Sequence, residues 1–524
     1  MLNTPRSYGG MVTAPHHLAA QAGLRVLEEG GDAIEAMIAA AATIAVVYPH
    51  MNGPGGDNFW LIAREGEAPV GIDACGAAAG AASIDLYRGW GHEAIPGRGP
   101  RAAVTMAGAV SGWQRAHAMT KGRMPIARLL EDAIRLAKEG VAVTATLAGN
   151  ARDKRAELEG VPGFAETFAP VAGREGVRLA QPRLASTLER LAQAGLDDFY
   201  RGDLARSMAR DLEAAGSPLR GADFERHRPL DVAPLSLDVA GHRVFNMPPP
   251  TQGLASLLLL ATYARLGVRE AESFDFVHGL IEATKAAFRI RDRHVCDPDY
   301  MERPATSWLD EATIDGLAAS IDRHRAAPWP DASPGGDTVW LGAIDRHGTA
   351  VSMIQSIYWE FGSGLVLNET GVTWQNRGTS FSLDPAHHNH LRPHRRPFHT
   401  IQPAMARLAD GRTMVYGTMG GEGQPQTQAA IFARHVLHHR PLQQAVTAPR
   451  WLLGRTWGEE TARLRIESRV APELIRALEQ AGHDLVVVGP FEEMMGHAGA
   501  VVRHPDGLLE GAADPRSDGV VAAR

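Results

Sequence analysis

The order of patterns along this chain predicts stacked layers of helix and sheet. Three observations carry that expectation: helical periodicity through most of the first half, a change at Thr338 to short extended segments between turn residues, and a return of helical periodicity before two late strands. The early helices read at residues 17–28, 33–47, 126–138, 184–193 and 256–266. Asp32 precedes one of them with Glu35 in the capping-box position, and Gly30-Gly31 closes the helix before it. Strands read between them at 59–63 and 70–73. Beyond the midpoint they read at 338–344, 350–355, 371–375, 404–408 and 413–416, the first two joined by the tight turn Asp345-Arg-His-Gly348. Helices follow at 426–438 and 472–480, then strands at 484–488 and 500–503. No repeat or low-complexity tract interrupts the series.

At 524 residues the chain allows either two domains or one large multilayer unit, and 44% apolar with 22% charged residues describes an ordinary globular protein. A net charge of −7 lacks the basic stripe that phosphate backbones require, so nucleic acid is not an expected partner. The one basic run, His390-Leu-Arg-Pro-His-Arg-Arg-Pro-Phe-His399, reads as solvated surface or as an attractor of small anions. Cys75 and Cys296 are too few for a disulfide framework and lack zinc-site spacing. The first ten residues have no apolar signal core and the apolar stretch 36–47 is too short to span a bilayer, so the expectation is a cytoplasmic protein without a membrane partner.

Chemistry concentrates at Thr338. It follows the run Arg325-Ala-Ala-Pro-Trp-Pro-Asp-Ala-Ser-Pro-Gly-Gly-Asp337 and opens an extended segment. A threonine at such a junction is ordinary strand-start chemistry. It is also a residue that, once the bond to Asp337 is broken, carries a free α-amine as base for its own hydroxyl. An α-amine of ordinary pKa about 7.7–8 is partly neutral near pH 7 and can accept that proton without a histidine. Acyl transfer then lacks only oxyanion donors. Thr418-Met-Gly-Gly-Glu-Gly-Gln-Pro-Gln-Thr-Gln428 offers Gly420 and Gly421 just before a predicted helix. A glycine pair there is also a common loop-to-helix turn, though no P-loop follows.

The order of motifs resembles the γ-glutamyltransferase family of N-terminal-nucleophile hydrolases over almost the whole chain. The pieces are Asp32-Ala-Ile-Glu-Ala36, Pro49-His-Met-Asn-Gly-Pro-Gly-Gly-Asp-Asn-Phe59, Gly336-Asp-Thr-Val339, Gly348-Thr-Ala-Val-Ser352, Phe361-Gly-Ser-Gly364, Arg396-Pro397, Gly420-Gly421 and Asp514-Pro-Arg-Ser517. The resemblance implies an α+β fold, a four-layer αββα sandwich built jointly by two autocleaved fragments. It places the cut between Asp337 and Thr338, giving a large fragment 1–337 and a small one 338–524, a heterodimer of its own halves. It implies Thr338 as nucleophile, Gly420 and Gly421 as oxyanion hole, Ser356 as the hydroxyl that supports the nucleophile, and Gly335-Gly336 as turn residues for the scission. Gly53, Gly55 and Gly56 are expected to shape a loop near the site. No metal or organic cofactor is expected, and pairing of the αβ unit with another copy stays open.

The chain departs from the family where a γ-glutamyl group is held. The arginine that takes the α-carboxylate is replaced by Cys75, the acidic residue that takes the α-amine by Ser380, and the two assisting serines by His399 and Thr400. Arg377 is new. An ammonium lacking its acidic partner would be buried unpaired at high cost, whereas a guanidinium suits a carboxylate. The substituted pocket resembles the oxamate amidohydrolase branch, cytoplasmic enzymes of purine breakdown, and implies a small carboxylated amide as substrate, with Arg377, His399, Thr400, Ser380 and Cys75 around it. The alternatives are a γ-glutamyl hydrolase or transferase with a rebuilt pocket, and an unprocessed, non-catalytic relative. For Arg377 the alternative is a salt bridge at a surface or interface.

Overall fold

The computed structural model describes residues 3–122, 124–329, 337–454 and 463–524. Gly335 and Gly336 lie outside them.

Two seven-stranded sheets form the centre. One runs, neighbour to neighbour, Val520–Ala523, Gly10–Ala14, Asp337–Asp345, Ala350–Tyr358, Asp57–Ala63, Val70–Ala74 and Leu230–Val232. The other runs Arg6–Ser7, Leu509–Ala513, Ala498–Arg503, Thr413–Thr418, Ala404–Arg407, His242–Asn246 and Leu235–Val239. Every neighbouring pair of these strands is antiparallel.

Three apolar interfaces separate four layers. Helices His17–Glu28, Ala33–Val47, Ile126–Glu139 and Pro182–Ala194 bury their apolar faces in the first cluster, together with Val339, Leu341, Val351 and Met353 of the first sheet. A second cluster lies between the sheets, with Phe59, Leu61, Trp340, Ile344 and Ile354 from one and Phe245, Met405, Val415 and Val501 from the other. The third joins the second sheet to helices Gly253–Arg265, Phe274–His294 and Gly423–Phe432. The result is helix, sheet, sheet, helix, the αββα sandwich that the resemblance implied.

Strand parity decides which side chains meet in the middle. Side chains alternate faces along a strand. Val339, Leu341 and Ala343 point to the helices, so Thr338 shares the inward face with Trp340 and Ile344. By the same count Ser356 shares the inward face with Ala350 and Ile354, and Asp57 with Phe59 and Leu61.

Trp340 fills the space behind that row. It is 1% exposed and donates its Nε1–H to Ser352 Oγ at 2.9 Å. Its ring lies so close to Gly342, Gly417 and Gly499 that a Cβ on them would come within 2.6, 2.1 and 2.6 Å of it. We expect Gly417→Ala to destabilise the fold by about 1–3 kcal/mol through overpacking, read as a lower urea midpoint at unchanged m-value. An unchanged midpoint would show that the ring can yield.

Local expectations fare unevenly. Asp32 caps helix Ala33–Val47 with the full capping box, Gly30 takes φ +94° after the preceding helix, and Gly348 closes the Asp345 turn at φ +83°. Residues 371–375, expected as a strand, form only isolated bridges, Val366 with Thr373 and Gly55 with Trp374; no partner strand runs beside them long enough to make a ladder. The helix expected from 426 begins at Gly423 and passes into a π-turn at Ala433–Leu437. The 21-residue helix Phe274–His294 was not anticipated. The basic run 390–399 is solvated only in part: Arg392, Pro393 and His394 are exposed, whereas Arg395 is 1% and His399 0% exposed. Arg396 is held by Asp73 at 3.1 Å and Asp297 at 2.8 Å. No helix among the described residues is long and apolar enough to cross a membrane.

Candidate active site

Thr338 is wholly buried at a break in strand register. Asp337 pairs with Tyr358, but Val339 pairs with Gln355, so the ladder shifts at Thr338 itself. Such bulges re-aim a side chain and recur beside active sites. Thr338 Oγ1 donates to Ser356 Oγ at 3.1 Å, and Ser356 Oγ also accepts the Tyr358 N–H at 2.8 Å. Tyr358 sits at φ +82°, unusual for a bulky buried residue.

From Tyr358 the contacts lead to the other singled-out residues. The Arg377 guanidinium lies 3.8 Å over the Tyr358 ring, and its Nη1 donates to Thr400 Oγ1 at 3.3 Å. Gln252 Nε2 donates both to Thr400 O at 2.6 Å and to Gly421 O at 2.9 Å. Gln252 is held in turn by Arg291, which pairs with Glu422 at 2.7 Å. Thr338, Ser356, Arg377, Thr400 and Gly421 thus belong to one connected buried set.

Gly420 and Gly421 take φ +108° and +51°, the left-handed region that glycine enters without a Cβ penalty. Successive residues of this kind form an N–H concavity suited to anions. Among the described residues neither N–H has a hydrogen-bond acceptor, while their carbonyls are taken by the N–H groups of Gly423 and Gln424.

Electrostatics single out Arg377. It is 1% exposed, and among the described residues its Nε and Nη2 have no hydrogen-bond acceptor. Burial lowers its pKa to about 10, so it remains a cation at neutral pH. His399, fully buried and edge-on to Phe59 at 5.0 Å, is pushed well below its ordinary pKa by burial and then by Arg377, and is neutral. Burial drives the Cys75 thiol well up, so it is no thiolate. Cys75 and Arg396 line a neighbouring cavity of about 280 Å³. Ser380 ends the short 3₁₀ turn that Arg377 begins; its carbonyl accepts from Asn389 Nδ2 at 2.7 Å, and among the described residues no hydrogen bond joins its side chain to the rest of the set. The surface or interface salt bridge weighed for Arg377 is not present among the described residues.

Asp57 is the group that the sequence reading passed over. Ser356 pairs with Asp57 across the sheet, and Cys75 comes next, one residue past the Asn58–Ala74 pair. Asp57 Oδ1 accepts the N–H groups of Gly76 at 2.9 Å and Gly108 at 3.1 Å; Oδ2 lies 3.6 Å from His399 Nε2. Within its glycine-rich run it reads as a turn residue, and nothing local signals that it faces the nucleophile candidate. Gly55 and Gly56 pack so tightly that a Cβ would come within 2.2 Å of Thr373 O and 2.1 Å of Ser356 O.

One buried trio elsewhere, His278, Glu282 and His483, has a donor set that could hold a metal. Its atoms are already used. His278 Nδ1 and His483 Nε2 share a hydrogen bond of 2.8 Å, and Glu282 accepts from Lys285 Nζ at 2.7 Å and Ala327 N at 3.0 Å.

Chemically, the central set combines a buried hydroxyl, two backbone N–H groups without an acceptor and a cation with no ion-pair partner, all among the described residues. The sequence profile of the Gamma-glutamyltranspeptidase family matches residues 19–524. The chain is 53% identical over 519 residues to an oxamate amidohydrolase proenzyme of Klebsiella pneumoniae, covering 98% of each. It is 40% identical over 517 residues to a glutathione hydrolase-like proenzyme of Bacillus subtilis, covering 97% of each. A cephalosporin acylase from Bacillus halodurans superposes with a TM-score of 0.92 at 34% identity, over 100% of this chain and 97% of its own. With the αββα sandwich, these likenesses lead to one conclusion: the chain belongs to the γ-glutamyltranspeptidase family of N-terminal-nucleophile hydrolases and is an enzyme that cleaves C–N amide bonds.

Proposed function

We propose that this chain opens its own Asp337–Thr338 bond and then hydrolyses a small carboxylated amide such as oxamate, releasing ammonia. The observation that carries the substrate class is the buried guanidinium of Arg377, which has no carboxylate at ion-pair distance among the described residues, Asp57 acting on it only from farther away. A cation so placed is costly unless an anion arrives to pair it.

In maturation the Thr338 hydroxyl attacks the Asp337 carbonyl carbon, the peptide nitrogen leaves as the new α-amine, and water cleaves the resulting ester. Fragments 1–337 and 338–524 then stay together, because each contributes strands to both sheets. In turnover the amine takes the Thr338 proton as Oγ1 attacks the amide carbon. The N–H groups of Gly420 and Gly421 meet the oxyanion, and the amine returns the proton to the departing ammonia. Water, deprotonated by the same amine, frees the acid. Ser356 orients the hydroxyl; Arg377 and Thr400 take the carboxylate, with neutral His399, Ser380 and Cys75 shaping the remainder. The relative that hydrolyses oxamate supports this reading. Such a role would put the enzyme in purine breakdown in the cytoplasm.

Asp57 favours a second reading, since a buried carboxylate can also meet the ammonium of a γ-glutamyl substrate. Ammonia release from oxamate and turnover of a γ-glutamyl anilide by the cleaved protein separate the two. We expect the first and not the second; turnover of the anilide alone would overturn the proposal.

A further inference from the structure

The inward row Thr338, Ser356, Asp57, with Cys75 beyond it, puts one carboxyl between the reactive hydroxyl and the pocket wall. Two positions on Asp57 differ in character. Oδ1 is held by the N–H groups of Gly76 and Gly108, whereas Oδ2 has no partner at hydrogen-bond distance among the described residues, although the Gln375 side chain also favours the charged carboxylate. Besides the Thr338 α-amine that cleavage creates in the same row, which the wild type and Asp57→Asn both carry, few charged or titratable groups act on it. Arg377 is cationic, and His399 and Cys75 are neutral for the reasons above. Tyr200 is buried and held in its neutral form. With Asp57 ionised, Arg377 already has its countercharge, and a bound carboxylate would make the dry pocket net negative. With Asp57 neutral, the incoming anion balances Arg377.

We propose that Asp57 is a specificity-determining residue that must be neutral when an anionic substrate binds beside Arg377, so that an ionised Asp57 takes up one proton from solvent, at Oδ2, on binding. This inference rests on the carboxylated-amide reading above. No bond of the substrate changes in this step; the proton on Asp57 is the only atom gained. The same carboxyl makes the preference for an anion over an uncharged amide depend on pH: neutral Asp57 leaves Arg377 for the anion to balance, whereas ionised Asp57 balances it already.

Burial raises the Asp57 pKa to about 7, against the pull of the Gly76 N–H and of Arg377. The sign follows. Below that value Asp57 is already neutral and anion binding takes up no proton. Above it, binding must protonate the carboxylate, so the Michaelis constant for oxamate should rise about tenfold per pH unit.

The experiment uses the cleaved enzyme and its Asp57→Asn variant, whose amide oxygen still accepts from Gly76 and Gly108. The Michaelis constant for oxamate is read from pH 6 to 9. Proton uptake on binding N,N-dimethyloxamate is measured calorimetrically at pH 8 in two buffers of different ionisation enthalpy. We expect a rising constant and uptake near one proton for the wild type, and a flat constant with uptake near zero for D57N. A D57N profile that keeps the wild-type slope, or a wild-type constant that falls with pH, overturns the inference. If D57N fails to cleave, the wild-type proton count decides: zero uptake at pH 8 overturns it. Failure of the cleaved wild type to turn over oxamate at any pH would instead remove the reading on which it rests.

Discussion

A Thr338→Ala chain is expected to stay whole and inactive. On a denaturing gel it runs as a single band near 56.2 kDa, where the wild type gives two fragments, and its amide turnover falls by roughly 10⁴–10⁶. The size of the effect follows from one hydroxyl serving twice. The same Oγ1 that hydrogen-bonds Ser356 Oγ is asked to attack the Asp337 carbonyl and afterwards the substrate, and the amine that serves as base exists only once the first attack has succeeded. Alanine removes both steps. Thr338→Ser keeps the hydroxyl and should still cut, which separates lost chemistry from misfolding. End-group sequencing of active wild-type material should read Thr-Val-Trp-Leu. Two fragments from the alanine variant would sink the mechanism.

Arg377→Met is expected to mature normally and then to lose about 10²–10³ in kcat/KM for oxamate, mostly through a higher KM. Truncating one member of a buried charge pair costs about 2–5 kcal/mol, and each 1.4 kcal/mol is tenfold. Methionine keeps the apolar bulk over the Tyr358 ring, so a fall in affinity reports the missing charge. Arg377→Lys should recover only part of the loss, because a point charge cannot pair a carboxylate through two parallel N–H groups. If both variants keep the wild-type KM, Arg377 is a packing partner of Tyr358 and Thr400, and the anion is held elsewhere.

What was legible in the sequence was local or ordered along the chain. The Asp32 cap, the Gly30 stop and the Asp345 turn depend on neighbours within a few residues, and they form as read. The segment 371–375 alternates like a strand, but a strand exists only where a partner offers a ladder, and there it finds two bridges. Helix Phe274–His294 was missed. Asp275 in its first turn and Arg291, Arg293 and His294 in its last agree with a helix dipole. Its apolar stripe is diluted by charges that are paired only in the fold, such as Glu282 with Lys285.

The candidate site divides in the same way. Thr338 after a Gly-Gly-Asp junction and the glycine pair at 420–421 are statements about residue type and order that the amino-acid string supplies, and the resemblance adds Cys75 and Ser380 as the residues expected in place of glutamyl-binding ones. That Arg377 is a dry cation with no acceptor among the described residues for two of its nitrogens, that His399 is neutral, and that Asp57 stands opposite Ser356 are statements about surroundings. They depend on strands far apart in the chain lying side by side, and on burial that removes the water which would otherwise screen each charge. Chemistry can be named from side chains, but which of those side chains carries a charge, and toward what, is set by the neighbours the folded sandwich brings to it.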